Sequence, residues 1–210
     1  RMSDALQTVY KLTWDDFCAW YLEMIKPEFG KPIDQVTYDK TVSLFETVLK
    51  VLHPFMPFIT EELWHELKDR KDWEYIIVAQ WPAAGKSDES ILKEADFAFE
   101  LITQIRNARS SKGLSPKEVL KLHQKEQPKN INTFWSIVKK LGNISDIQTA
   151  VQKPAGVSFL VGTHEFTIPL EGKIDVAKER EALIKDIEYQ KGFMASVDKK
   201  LSNEKFVNSA

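Results

Sequence analysis

The sequence predicts a mainly α chain in three parts, and three observations carry that prediction. Apolar residues recur at helical steps through the first 65 positions, in stretches separated by prolines. The turn-rich run from Pro82 to Ser90 then divides that region from one of mixed helix and strand character. From Ile174 onward the apolar positions fall at heptad spacing. The expected parts are a helical bundle over 1–85, a small α+β domain over 86–172 and a heptad helix over 173–210.

The first helix is expected from Ser3 to about Ile25, because Leu6, Val9, Phe17, Trp20, Tyr21 and Met24 lie largely on one helical face, with one longer gap. Pro27 closes it. The second runs from roughly Gln35 to His53 on the stripe Val42, Phe45, Val48, Leu49 and Leu52, and Pro54 stops it. A third starts in Pro57-Phe58-Ile59-Thr60-Glu61-Glu62-Leu63-Trp64, where Thr60 suits the capping position and the two glutamates suit the positive end of the dipole. Three amphipathic helices with short connections indicate an antiparallel bundle. The apolar run Tyr75 to Trp81 is short and closes this part.

In the second part, Ile91 to about Ser111 reads as a helix on the stripe Phe97, Leu101, Ile105 and Ala108, with Gly113 placed to end it. Glu118 to His123 reads as a short strand and Asn130 to Leu141 as a helix ended by Gly142. Gly156 to Val161, a turn at Gly162-Thr163-His164, and Glu165 to Leu170 read as a β-hairpin. In the third part, Val176, Arg180, Leu183, Ile187, Gln190, Met194, Val197 and Leu201 form a seam with steps of four and three. A single helix with an exposed seam is marginal in water. Residues 176–210 are therefore expected either to lack fixed order or to pack against another copy of the chain.

With 43% hydrophobic and 29% charged residues, a chain of 210 residues has the composition of a folded globular protein rather than a disordered one. The single cysteine, Cys18, has nothing to pair with and sits among apolar neighbours, so it reads as a small buried side chain in a reducing compartment. No stretch reaches the length of a membrane span and no signal peptide opens the chain, which points to the cytoplasm and away from any membrane. Both ends read as cut: Arg1-Met2-Ser3 leads straight into a helix, and Phe206 to Ala210 carries no stop. The net charge of −2 conceals a segregation, since 1–100 carries 11 basic and 19 acidic groups while 101–145 carries 9 basic and 2 acidic. A polyanion would meet the middle first.

No active site emerges from residue types. His53, His65, His123 and His164 are scattered, and His65 with Glu61 and Glu62 reads as a solvated helix face rather than metal ligands. There is no glycine-rich phosphate loop and no nucleophile with a base near a turn. Trp14, Trp20, Trp64 and Trp135 are expected in the core. Arg106, Arg109 and Lys112 lie three apart on one helix face, and that face reads as phosphate contact or as a solvated helix terminus suited to cations. Lys121 and Lys125 alternate with Leu120 and Leu122 and are expected on the outward face of their strand.

Two strings carry a resemblance. Phe17-Cys18-Ala19-Trp20-Tyr21-Leu22-Glu23-Met24-Ile25-Lys26 and Leu52-His53-Pro54-Phe55-Met56-Pro57-Phe58-Ile59-Thr60-Glu61-Glu62-Leu63-Trp64 closely resemble the anticodon-binding helical bundle of class I aminoacyl-tRNA synthetases for valine, isoleucine and leucine. Leu170-Glu171-Gly172-Lys173-Ile174-Asp175-Val176, the heptad helix and Lys200 to Val207 resemble the linker and first helix of the antiparallel coiled-coil arm of valyl-tRNA synthetases. Isoleucine enzymes typically end in a different, often zinc-bearing module, and the cysteine pairs for one are absent.

The resemblance implies a C-terminal, tRNA-binding piece of an enzyme that attaches valine to tRNA(Val) with ATP and magnesium. The piece itself is expected to need no cofactor, hold no metal and catalyse nothing. The His-Ile-Gly-His-type and Lys-Met-Ser-Lys-Ser-type signatures of the activating fold are missing, and Arg109-Ser110-Ser111-Lys112-Gly113 reads as the basic end of a helix. The bundle is expected to address the anticodon, whose unpaired bases can be splayed and stacked. The heptad helix offers Lys178, Arg180, Lys185, Lys191, Lys199 and Lys200 to phosphates. The remaining partners are the rest of the synthetase chain and, through the unpaired seam, a second copy. Two alternatives stay open: the same role in an isoleucyl- or leucyl-tRNA synthetase, and a non-enzymatic coiled-coil adaptor.

Overall fold

The computed structural model describes residues 1–126, 128, 131, 133–149, 153–170 and 176–202, without the side chains of 176–179, 182 and 200. It is mainly α, with a four-stranded mixed sheet. The chain divides into two compact units: residues 1–107 with 129–144, and 108–128 with 145–210. That division falls inside a helix rather than at the turn-rich stretch around residue 85, and it groups the heptad helix with the sheet.

The first unit opens with a continuous helical segment made of α1 (Met2–Tyr10), a π-helical stretch (Lys11–Tyr21) and α2 (Leu22–Ile25). The π-helical turns coincide with the gap in the sequence pattern between Val9 and Phe17, which are the two buried residues of the stretch. A wider turn re-phases the apolar face. α3 (Gln35–Leu52) starts where Asp34 accepts a hydrogen bond from the Thr37 amide at 2.9 Å. α4 (Pro57–Glu66) begins three residues before the expected cap, with Pro57 in its first turn. Thr60 is consequently inside the helix and fully buried, donating to the Met56 carbonyl at 2.8 Å and bonded to His53 Nδ1 at 2.7 Å.

Leu49, Trp64 and Ile76 form a buried cluster, with Phe45, Leu63, Leu67 and Ala79 packed against it. Trp64 is tied to three polar neighbours. Its indole donates to the Glu74 carbonyl at 2.9 Å, the Arg70 guanidinium lies 3.6 Å from its ring, and Lys50 stands 5.3 Å away. Arg70 is fixed by Glu46, which Lys68 also contacts at 2.9 Å. The run after Glu74 is a single 3₁₀ turn, Ile76–Val78.

α5 (Glu89–Ser111) is started by Asp88, whose side chain accepts from the amides of Ser90 and Ile91. Ala98, Leu101, Ile102 and Ile105 are fully buried. The helix α6 (Trp135–Gly142) packs near α5 because Gly142 has no side chain: a Cβ there would stand 3.3 Å from Ile105. Gly142 thus belongs to the helix, and Asn143, in the left-handed conformation at φ 50°, ends it. Trp20 stacks on Phe99 at 4.2 Å and Phe99 meets Phe134 edge-on at 6.4 Å. Trp64 is buried and Trp20 and Trp135 are half-buried, but Trp14 is 61% exposed, because the segment it stands on buries only Val9 and Phe17. Cys18 is half-buried.

The second unit holds β1 (Leu120–Gln124), β2 (Ile144–Thr149), β3 (Gly156–Val161) and β4 (His164–Pro169), in the order β2-β1-β4-β3. β3 and β4 form the expected hairpin, and β4 also pairs antiparallel with β1. Ser145 bonds the Leu120 carbonyl and Gln124 bonds Thr149, so β2 runs alongside β1 in the same direction. Sequence reading missed β2, whose Ile-Ser-Asp-Ile-Gln-Thr lacks a period of two. Leu122, Val161, Phe166 and Ile168 make the buried side of this sheet. α7 (Val176–Leu201) completes the unit.

Candidate nucleic-acid interface

The three cations expected on one face of α5 have separate surroundings. Arg106 is exposed, with its guanidinium over the Trp20 ring, 5.6 Å from its centre, a placement that keeps the charge at the surface. Arg109 is turned inward and is only 6% exposed. Its guanidinium donates to the carbonyls of Ser115, at 3.1 Å, and Glu118, at 2.7 Å. Burial pulls its pKa below the usual guanidinium value, and the nearby Glu118 carboxylate opposes that shift. A guanidinium stays protonated at neutral pH.

The clamp has a local cause. α5 ends at Ser111, Gly113 takes φ +63°, and the Leu114 amide returns to the Arg109 carbonyl at 2.9 Å. The chain then doubles back into β1, and Arg109 satisfies the carbonyls of that reversal. Arg109 therefore leaves the set of phosphate contacts for a positioning task. Lys112 is half-buried in the turn after α5. The Arg109 to Gly113 string is the end of a helix, as the sequence suggested.

Lys121 and Lys125 are exposed and alternate along β1 with the buried Leu120, Leu122 and Gln124. On α7, Arg180, Lys185, Lys191 and Lys199 are exposed; the side chains of Lys178 and Lys200 lie outside the described residues. The seam is also open to solvent: Leu183 is 54% exposed, with Ile187, Met194 and Leu201 similar. Leu183, Ile187, Gln190 and Met194 line a shallow apolar groove with Asp186 and Lys191 at its rim. One helix thus presents cations and an unpaired apolar strip together.

Among the described residues no three His, Cys, Asp or Glu side chains are grouped as a metal site. His65 bonds Glu61 at 3.1 Å, and Glu61 also accepts from the Ile76 amide, so this pair anchors the turn after residue 74 rather than standing in solvent. Sequence reading also missed Arg70 and Glu46, whose 24-residue separation leaves no local signal.

Residues 1–124 match the family model described as the anticodon-binding domain of tRNA ligase. The whole chain is 48% identical over 211 residues to a valine–tRNA ligase of Phocaeicola vulgatus, covering 24% of that protein. It is 44% identical over 211 residues to one of Christiangramia forsetii, again 24% of it, and 36% identical over 223 residues to one of Zymomonas mobilis, 25% of it. The chain spans about a quarter of the length of the curated relatives it matches.

Proposed function

The chain belongs to the anticodon-binding domain family of tRNA ligases, and from that premise we propose that it is the tRNA-gripping C-terminal part of a valine–tRNA ligase, a cytoplasmic enzyme that joins valine to tRNA(Val). The observation that carries the reading is that this family match is combined with 36–48% identity to valine–tRNA ligases along the entire chain. The same coverage disfavours the isoleucine, leucine and adaptor alternatives.

In this reading the activation and editing chemistries reside in the three quarters of the parent outside this chain. ATP and magnesium are assigned there, with the activation chemistry they serve. The task of this piece is grip and orientation. The bundle addresses the unpaired bases of the anticodon loop. Arg106, Lys112, Lys178, Arg180, Lys185, Lys191, Lys199 and Lys200 contact phosphates, adding salt-sensitive affinity with little sequence information. Arg109 holds the turn that follows Arg106 and Lys112 in place. The seam of α7 pairs with a second heptad helix to complete an antiparallel coiled coil, and in its absence can pair with another copy of the chain. No helix among the described residues is long and apolar enough to cross a membrane.

A gel-shift titration of the chain against tRNA(Val) and a non-cognate tRNA at two salt concentrations tests this. Salt-sensitive binding of tRNA, with tRNA(Val) preferred where the bundle reads the anticodon, is the expected result. No binding at low salt contradicts it.

A further inference from the structure

The outward face of the small sheet carries more than solvated lysines. The registers His123↔Thr167 and Ser158↔Thr167 set a polar row across β1, β4 and β3, with the Ser158 and Thr167 hydroxyls 2.9 Å apart and Thr167, at its centre, buried. Lys121 and Lys125 flank His123 on the same side of β1. Two hollows meet at His123. One, of about 170 Å³, is lined by His123, Lys125, Lys153, Glu165 and Thr167; the other, of about 350 Å³, includes Lys121, His123 and Gln148. The Nδ1 of His123 is buried with no hydrogen-bond partner among the described residues. A buried, unpaired polar atom is costly in the free protein and is relieved by a ligand that supplies its partner.

We propose that this face, centred on His123 between Lys121 and Lys125, is a second RNA-backbone site that takes a single-stranded ribose–phosphate stretch. The proposal rests on the tRNA-binding reading above and adds a surface that the sequence assigned to solvent. Charge complementarity selects the occupant. Lys153 is taken up by Glu165 at 2.6 Å and Lys125 also lies within electrostatic reach of that carboxylate, whereas Lys121 forms no ion pair among the described residues. Lys125 directly follows β1, and the four steps from Lys121 span about 13 Å at strand spacing, so the two lysines meet different phosphates of one strand. Between them the imidazole of His123, and beside Lys121 the amide of Gln148, whose nitrogen already donates to Asp146 at 2.7 Å, offer the mixed donors and acceptors that a ribose hydroxyl uses and a deoxyribose lacks.

The test uses the full 210-residue chain, titrated with tRNA across a salt series. The variants are Lys121→Ala with Lys125→Ala, His123→Ala, and His123→Gln as a milder form. Lys185→Ala with Lys191→Ala is the comparison on α7. The β1 lysine pair is expected to weaken binding on the order of tenfold and to lower the slope of log K against log salt by about two. Both His123 variants are expected to weaken binding several-fold with the slope unchanged, and amide shifts over Leu120 to Gln124 should follow an added RNA oligonucleotide more than the DNA of the same sequence. Unaltered affinity and slope in the β1 variants, with loss only in the α7 pair, overturn the sheet site and leave the tRNA reading standing. Failure of the unsubstituted chain to bind any tRNA overturns both.

Discussion

α5 and α7 are two long helices of similar length, both charged and striped with apolar residues, yet they finish in opposite conditions. In α5 the stripe is sealed, with Ala98, Leu101, Ile102 and Ile105 fully buried. In α7 the corresponding strip, Leu183, Ile187 and Met194, is more than half exposed. Periodicity fixes where a helix forms and which side is apolar. It says nothing about what covers that side, which depends on distant sequence. The basic residues divide in the same way: Arg109 of α5 serves the fold, whereas Lys185 and Lys191 of α7 face solvent and are open to a polyanion.

Core truncation should separate the two helices most strongly. Ile105→Ala removes a fully buried side chain that also touches the Gly142 backbone region, and should cost about 2–5 kcal/mol in denaturant unfolding. Ile187→Ala on α7 should stay within about 0.5 kcal/mol in dilute monomer. Equal losses at the two sites would mean that α7 is covered in solution.

The next effect concerns the basic residues. Arg109→Ala leaves two carbonyls, those of Ser115 and Glu118, without their charged donor, and should destabilise the chain by about 1.5–3 kcal/mol. Arg109→Lys should rescue only part of this, because an ammonium lacks the planar fork. Lys185→Ala with Lys191→Ala should instead leave stability unchanged while reducing the salt slope of tRNA binding by about two. Loss of RNA affinity in a stable Arg109 variant would move that residue back among the phosphate contacts.

The smallest effect is in pH. The Asp34 carboxyl is held below its usual range by the Thr37 amide, and that of Asp88 by the Ser90 amide. A depressed folded-state pKa means stability that is fully present above the unfolded value and lost as pH falls through the folded one. Acidification below about pH 4 should therefore loosen the starts of α3 and α5, with α7 unaffected by this route. Asp34→Asn keeps a cap while removing the titration. Helical circular dichroism across pH 5 to 2 would detect the difference, and an unchanged acid transition in the Asn variant would assign the loosening to other groups.

What the sequence made legible follows the same line. The helix stripes, the hairpin and the end of α5 at Gly113 depend on neighbours a few residues apart, and each is where local chemistry puts it. Trp14 was misplaced because an apolar side chain on a helix was assumed to be covered. Thr60 looked like a cap because its residue type favours caps, but Pro57 starts the helix earlier and leaves the hydroxyl to bond Met56 and His53. β2 escaped because its alternation is poor and its pairing with β1 is non-local. Among the described cations proposed for RNA, Arg109 takes a different role, through contacts to residues 115 and 118 made by a reversal that residue type does not encode.

Hydrogen exchange over α7, measured on dilute monomeric chain with and without tRNA, is the most direct test. An uncovered helix that grips RNA should exchange readily alone and gain protection when tRNA(Val) is added at low salt. Strong protection in the free monomer, or no change on adding tRNA, would contradict it.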